Sequence, residues 1–233
     1  MLKHVQIEKL LFFDIETVSQ KKSYTVLEET VQKLWGHKHQ YLRNEEENDF
    51  NSSYANNAAI YAEFGKIICI SCGFFVGNEF RVKSFYGDDE KEVLLAFASL
   101  LESTKYILCG HNIKEFDVPY ICRRLLINQL PLPRVLDVGG KKPWEVDYVD
   151  TLQLWKFGDY KAYTSLNLLA NIFNIPTPKD DIDGSMVGQV YWQENDLNRI
   201  VLYCQKDVVS VARLVQKWKG EELLRDEDVQ IID

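Results

Sequence analysis

Leu10-Leu11-Phe12-Phe13 runs straight into Asp14-Ile15-Glu16-Thr17, and no other stretch constrains the chain as much as this apolar run ending in two carboxylates. A short apolar run of this kind predicts a buried strand. Side chains alternate faces along a strand, so Asp14 and Glu16 share one side while Phe13 and Ile15 share the other. Two like charges held so close are costly unless one carboxyl keeps its proton or a cation neutralises both. Cations that take carboxylate shells are typically magnesium or manganese. The other reading is a solvated strand end, and so short a motif does not separate the two by itself.

The rest of the chain alternates strands and helices. Residues 20–64 are polar and charged, with helical spacing in "TVLEETVQKLW" and a loop at "RNEEENDFNSS", and they predict an insertion or lid. From Gly65 two β-rich runs meet at Gly77-Asn78, a hairpin signal. "DDEKEVLLAFASLLES" predicts an amphipathic helix, with Val93, Leu94, Phe97, Leu100 and Leu101 on its apolar face. "KYILCGHN" predicts a buried strand, followed by a helix over roughly 117–128 with Pro119 in its first turn. A loop-rich stretch then carries a short strand near Tyr148 to Thr151. "SLNLLANIF" is a helix, "PTPKDDIDGSMVG" a loop, and a long helix begins at an Asn195 or Asp196 cap. These elements predict an α/β domain over residues 1–218, a mixed sheet flanked by helices. Residues 219–233 predict an acidic, flexible tail.

With 46% hydrophobic and 27% charged residues in 233, the chain has material for a sizeable core and the composition of a soluble globular protein. It has no apolar run of membrane-spanning length, and its opening lacks the core of a signal peptide, so a cytoplasmic protein is expected. The five cysteines are odd in number and scattered, which argues against a disulfide framework. Cys69 and Cys72 lie three apart on a predicted strand and face opposite sides, so they are expected to be buried small hydrophobes in a reducing compartment. The net charge of −8 argues against coating nucleic acid through bulk positive charge. It leaves room for an enzyme that takes one strand end into a local groove, where divalent ions reverse the sign.

Two further acidic sites follow the first. Asp117 opens the helix after "CGHN", beyond the carboxyl end of a strand, and shares an end with Asp14 and Glu16 if those strands are parallel; the plainer reading is a helix cap. Asn112 is suited to fix the turn by side-chain hydrogen bonding to the backbone. Tyr203 and Asp207 lie one turn apart on the long helix. An aspartate flanked by Val208, Val209 and Val211 is costly to bury unpaired and sensible as a metal ligand, or else it sits on the polar surface above Tyr203. Four carboxylates with no lysine or arginine partner in the motifs have the arithmetic of a metal site. Before metal binds, at least one of them should have a raised pKa.

Together these stretches resemble the DEDD superfamily of 3′–5′ exonucleases. Asp14-x-Glu16 matches its first motif, Asn112-x-x-x-Phe116-Asp117 its second and Tyr203-x-x-x-Asp207 its third, in the right order. The tyrosine spacing is that of the tyrosine branch, since Leu202 stands where the other branch has histidine. "YAEFGKIICIS" and "DVVSVARL" are most similar to stand-alone bacterial proteins related to the exonuclease domain of family B DNA polymerases, over most of residues 9–218. The resemblance implies a ribonuclease H-like fold and two divalent ions, Mg2+ or Mn2+, about 3.5–4 Å apart. It implies Asp14 bridging both ions, Glu16 and Asp207 completing the site that activates water, Asp117 on the second ion, and Tyr203 orienting the water. The implied product is a nucleoside 5′-monophosphate. The implied partner is the 3′ end of single-stranded nucleic acid, DNA favoured over RNA, in DNA repair or proofreading.

For substrate the candidates are Thr17, Asn112, Phe116 and Lys161, the last from "KFGDYKAY", which resembles a cleft-lining segment of the family. Further aromatics are Trp144, Tyr160 and Tyr163, and further cations Lys114, Lys141 and Lys142. Asp150 is expected to make a structural hydrogen bond and His111 to be a satisfied loop histidine. The rivals are an RNA 3′-end exonuclease, a non-cutting module of the same fold, and an aspartyl-nucleophile phosphohydrolase. Glu16 in place of a second aspartate argues against the last. The motifs fill the 233 residues, so any proofreading is expected in trans to a polymerase.

Overall fold

The computed structural model describes residues 2, 4–42, 49–142, 145–159, 161, 163–176 and 182–232. In chain order, β1 (Leu10–Ser19) leads through α1 (Glu29–His39) and α2 (Phe50–Asn57) to the hairpin of β2 (Gly65–Val76) and β3 (Glu79–Tyr86). Then come α3 (Glu90–Ser103), β4 (Ile107–Gly110), α4 (Asp117–Ile127), β5 (Val149–Asp150) and α5 (Thr151–Lys156). The chain continues with α6 (Leu166–Ile172), α7 (Val187–Gln189), α8 (Leu197–Lys219) and β6 (Val229–Ile232). No described helix is long and apolar enough to cross a membrane.

The strands form one mixed sheet in the order β5-β4-β1-β2-β3-β6. β1 runs parallel to β4 and antiparallel to β2, and β4 runs parallel to β5. The hairpin turns at Gly77, whose φ of 60° favours glycine. The alternation expected of β1 is present. Leu11, Phe13 and Ile15 pack with Val93 and Phe97 of α3 and with Val118 and Ile121 of α4. Leu10 and Phe12 pack on the other face with Val208, Val211 and Val215 of α8. Cys72 and Cys69 divide between the two faces in the same way, Cys69 beside Val201 and Cys204.

α8 carries the second face of the sheet. Asp196 caps its start by accepting the backbone N–H of Arg199 at 3.1 Å, and Gly220 ends it at φ 74°.

Three expectations are corrected. Residues 20–64 are less loop-like than predicted: Trp35, Tyr54, Tyr61 and Phe64 gather into an aromatic core, with Trp35 fully buried. Part of the expected loop is α2, capped by Asp49, while residues 43–48 lie outside the described residues. The stretch after Val149-Asp150 is the helix α5. The acidic C-terminal segment is held in place, since β6 adds to β3 in parallel and Arg213 of α8 donates to Asp226 at 2.5 Å and to the Leu224 carbonyl at 2.9 Å. Val229 and Ile231 give β6 a strand pattern that the acidic Asp226-Glu227-Asp228 before it obscures.

Candidate active site

Because β1 and β4 are parallel, the chain leaving β4 arrives at the end of the sheet where β1 presents its carboxylates. Gly110 ends β4, and a Cβ there would collide with Ile113 and come within 2.8 Å of the Phe13 carbonyl, so glycine lets the turn close against β1. Asn112 follows at φ 67°, a conformation asparagine tolerates. The carboxylate of Asp150 accepts the backbone N–H groups of Asn112 (3.1 Å), Lys114 (2.9 Å), Leu152 (3.0 Å) and Gln153 (3.1 Å). One buried side chain therefore pins the β4–α4 turn and caps α5, the structural role expected of it. Asn112 was expected to fix the turn with its own side chain; Asp150 holds its backbone instead, leaving Asn112 Oδ1 buried without a protein partner. His111 is satisfied as expected, with Thr151 Oγ1 and the Thr164 carbonyl each 2.9 Å from a ring nitrogen.

Asp14, Glu16 and Thr17 from β1, Asn112 and Phe116 from the β4–α4 turn, Asp117 from the start of α4, and Tyr203, Asp207 and Ser210 from α8 line one cleft of about 1040 Å³. Past Glu16 the pairing with β2 slips by one residue, from Glu16 opposite Cys69 to Thr17 opposite Ile67. The extra residue is Ile68 of β2, so the bulge bends that strand beside the carboxylates of β1. Ala59 and Ile60 form one wall. Tyr120 donates to the Ala59 carbonyl at 2.8 Å, and Arg124 donates to the Ala62 carbonyl at 2.8 Å while paired with buried Glu90. Glu90 in turn accepts the Ile67 N–H at 2.7 Å. Asp117 is the first residue of α4 while Phe116 holds the cap position, so its carboxylate is not the helix cap; it accepts a backbone hydrogen bond from Ile15.

Burial raises the carboxyl of Asp14 well above its ordinary range, and the charges of Asp117 and Asp207 raise it further. Glu16 is raised for the same first cause, then by Asp14 and Asp207. Asp117 is pushed up to about 8, again chiefly by burial. The Tyr203 hydroxyl is hydrogen-bonded to Asp207, and burial followed by the charges of Asp207, Glu16 and Asp14 holds it protonated. Three carboxyls crowded together in this way, Glu16 and Asp117 buried and Asp14 half-buried, lack a counter-charge. No lysine or arginine is among the described residues lining the cleft.

The donor chemistry fits hard divalent cations: carboxylate oxygens from β1, α4 and α8, with the orphaned amide oxygen of Asn112 at the same cleft. Asp14, Glu16 and the thiol of Cys204 place ligand atoms within 4.8 Å of one another. The Cys204 thiol donates to the Asp14 backbone oxygen at 3.5 Å and to its Oδ2 at 3.7 Å. Sequence reasoning missed Cys204, although its place one turn before Asp207 puts it on the same face. It also missed Ser210, three residues after Asp207. Nothing in local spacing marks Ile60 or Asp183, which reach the cleft through tertiary structure. Tyr163 lines the cleft, but Lys161 does not; it is exposed, and its backbone N–H donates to Asp159 Oδ1 at 3.1 Å. Lys114 Nζ is turned to the Val146 carbonyl at 3.2 Å. Lys141 and Lys142 are exposed and outside the lining, and Trp144 and Tyr160 lie outside the described residues.

Residues 59–215 match a family model described as "Predicted 3'-5' exonuclease related to the exonuclease domain of PolB". The match contains Asp117, Tyr203 and Asp207 and begins after Asp14 and Glu16, which the sheet brings to the same cleft. The DNA polymerase delta catalytic subunit of Glycine max is 30% identical over 173 residues, 63% of this chain and 15% of that protein. The chain thus spans a small part of that relative's length. The family B DNA polymerase from the archaeon Pyrobaculum calidifontis superposes with a TM-score of 0.56 at 16% identity, over 87% of this chain and 24% of that one. The fold is ribonuclease H-like, as the resemblance implied.

Proposed function

The chain belongs to the family of predicted 3′–5′ exonucleases related to the exonuclease domain of PolB, and from that premise we propose that it hydrolyses phosphodiester bonds from the 3′ end of single-stranded nucleic acid. DNA is the favoured substrate, nucleoside 5′-monophosphates are the products, and repair or proofreading of strand ends is the setting. The observation that carries this reading is the convergence of Asp14, Glu16, Asp117 and Asp207 from three elements on one cleft, with three of the carboxyls raised by burial and mutual repulsion.

Held by Asp14, Glu16, Asp117 and Asp207, two Mg2+ or Mn2+ ions would supply charge stabilisation of the phosphoryl group and acidification of the attacking water. Asp14 interacts with both Asp117 and Asp207 and would hold the ions together with them. Tyr203, kept protonated, orients the water through its hydroxyl and does not act as the base. The Asn112 amide oxygen and the Thr17 hydroxyl are acceptors for the terminal sugar, and Phe116 and Tyr163 offer rings to the terminal base.

Chromatographic identification of products from a single-stranded DNA oligomer, with Mg2+, Mn2+ or EDTA, tests the reading. Nucleoside 5′-monophosphates formed only with metal are expected. Internal fragments, or nucleoside 3′-monophosphates, would overturn it.

A further inference from the structure

We propose that a second cavity, of about 390 Å³, binds one nucleotide unit of the strand whose 3′ end occupies the acidic cleft, its phosphodiester on Lys66 and its base against the indole of Trp192. The origin of the strand rests on the exonuclease reading; the chemistry of the cavity does not. Lys66, Asp88, Tyr191, Trp192, Asn195 and Leu197 line it.

Lys66 is half-buried at the start of β2. Its Nζ donates to the Tyr191 hydroxyl at 2.8 Å and to the backbone oxygen of Asp88 at 3.3 Å. The carboxylate of Asp88 is taken by the Tyr191 hydroxyl at 2.5 Å. An ammonium has three donors, so the contacts of this one leave a donor over, and both acceptors are uncharged. Burial pulls its pKa down further than the charges of Asp88 and Glu90 push it up, so an incoming phosphate adds to an incomplete counter-charge.

The aromatic half of the site is built as deliberately. Val190–Glu194 is a π-helical turn, a rare geometry that gathers at functional sites. It sets Tyr191 and Trp192 edge to face at 4.8 Å, with Lys66 Nζ 4.9 Å from the first ring centroid and 5.6 Å from the second. Trp192 Nε1 donates to Ser19 Oγ at 3.1 Å, which fixes the indole. A cation beside a fixed aromatic plane is the composition that holds single strands without reading sequence.

Position ties the two cavities together. Ser19 lies three residues beyond Glu16 on β1, about 10 Å at strand rise. One apolar cluster separates them, presenting Ile182, Met186 and Tyr203 to the acidic cleft and Trp192 and Leu197 to the second cavity. A strand leaving the cleft over Met186 meets Trp192 within a few nucleotides.

The test is binding of a single-stranded DNA oligomer to the Asp14→Ala chain in EDTA, followed by intrinsic fluorescence across a salt series, with cleavage by the unsubstituted chain measured separately. Trp192→Phe should remove the oligomer-induced fluorescence change. Lys66→Gln should weaken binding about tenfold and lower the slope of log affinity against log salt by about 0.7, one phosphate contact on a single strand, while Lys66→Arg restores both. A well-folded Lys66→Gln or Trp192→Phe chain with unchanged affinity, slope and fluorescence response overturns the subsite even if the enzyme cleaves. A fluorescence change produced equally by free nucleoside monophosphate overturns the assignment to the strand. Absence of cleavage with these binding effects intact overturns only the exonuclease reading.

Discussion

Asp150 Oδ1 accepts the backbone N–H of Asn112 at 3.1 Å, across 38 residues of sequence. The same carboxylate holds Lys114, Leu152 and Gln153, so the turn that delivers Asn112 and Asp117 depends on a residue outside all three motifs. Asp150→Ala leaves buried N–H groups unpaired and uncaps α5, and should cost about 2–4 kcal/mol in urea unfolding. Activity should fall further than this loss explains. An unchanged unfolding midpoint would show that the turn holds itself.

The raised carboxyls give the metal-free protein a signed pH dependence. Asp14, Glu16 and Asp117 keep protons in the folded chain that the unfolded chain releases near pH 4, so folding binds more protons from there up to about 8 for Asp117. Stability in EDTA should therefore fall as pH rises through that window. Added Mg2+ or Mn2+ should offset the loss most at the alkaline end, because binding needs the carboxylates deprotonated. Thermal melts at pH 5 and pH 8, with and without metal, measure both effects; a metal-free chain that gains stability between those values contradicts them.

Asp14→Asn separates catalysis from stability. Cleavage should be abolished, yet the metal-free protein should be more stable than the unsubstituted chain at pH 8, since one member of a crowded buried group no longer ionises. Asp207→Ala should also abolish cleavage with normal circular dichroism. Nuclease activity undiminished in either well-folded variant removes that residue from the mechanism.

Tyr203→Phe should slow the reaction by about 10- to 100-fold, less than loss of an acid, because in the proposed mechanism the protonated hydroxyl orients water without taking its proton. A single-turnover assay at saturating metal reads this directly. A loss as complete as that of Asp14→Asn would assign the tyrosine a larger part.

Gly65→Ala tests the wall that presents Ile60 to the cleft. A Cβ at Gly65 would press on the Tyr120 hydroxyl and lie 2.8 Å from the Ala59 carbonyl, breaking into the contact that anchors this wall. The expected cost is about 1–3 kcal/mol, measured by urea unfolding, and a neutral substitution would show that the segment shifts freely.

What the sequence disclosed is largely what periodicity and spacing can carry. The alternation in β1, the Gly77 turn and the four-residue step from Tyr203 to Asp207 are local and survive folding unchanged. The fold class followed from the order of such elements. Trp35 was hidden inside a polar segment because its partners Tyr54 and Phe64 come from later in the chain. β6 was hidden by its acidic flank. Ile60 and Asp183 reach the cleft only through tertiary packing, and Lys161, singled out by its segment, does not line it. Distance across the sheet, unlike distance along a helix, leaves no local signature.

The most direct measurement is a time course on matched single-stranded DNA and RNA oligomers labelled at the 5′ end, with Mg2+, Mn2+ or EDTA and with Asp14→Ala in parallel. The labelled products should form a ladder that shortens stepwise from the 3′ end, faster on DNA, dependent on metal and absent from the variant. Intact oligomers under every metal condition, or a ladder that persists in Asp14→Ala, would contradict the assignment of this acidic cleft as an exonuclease centre.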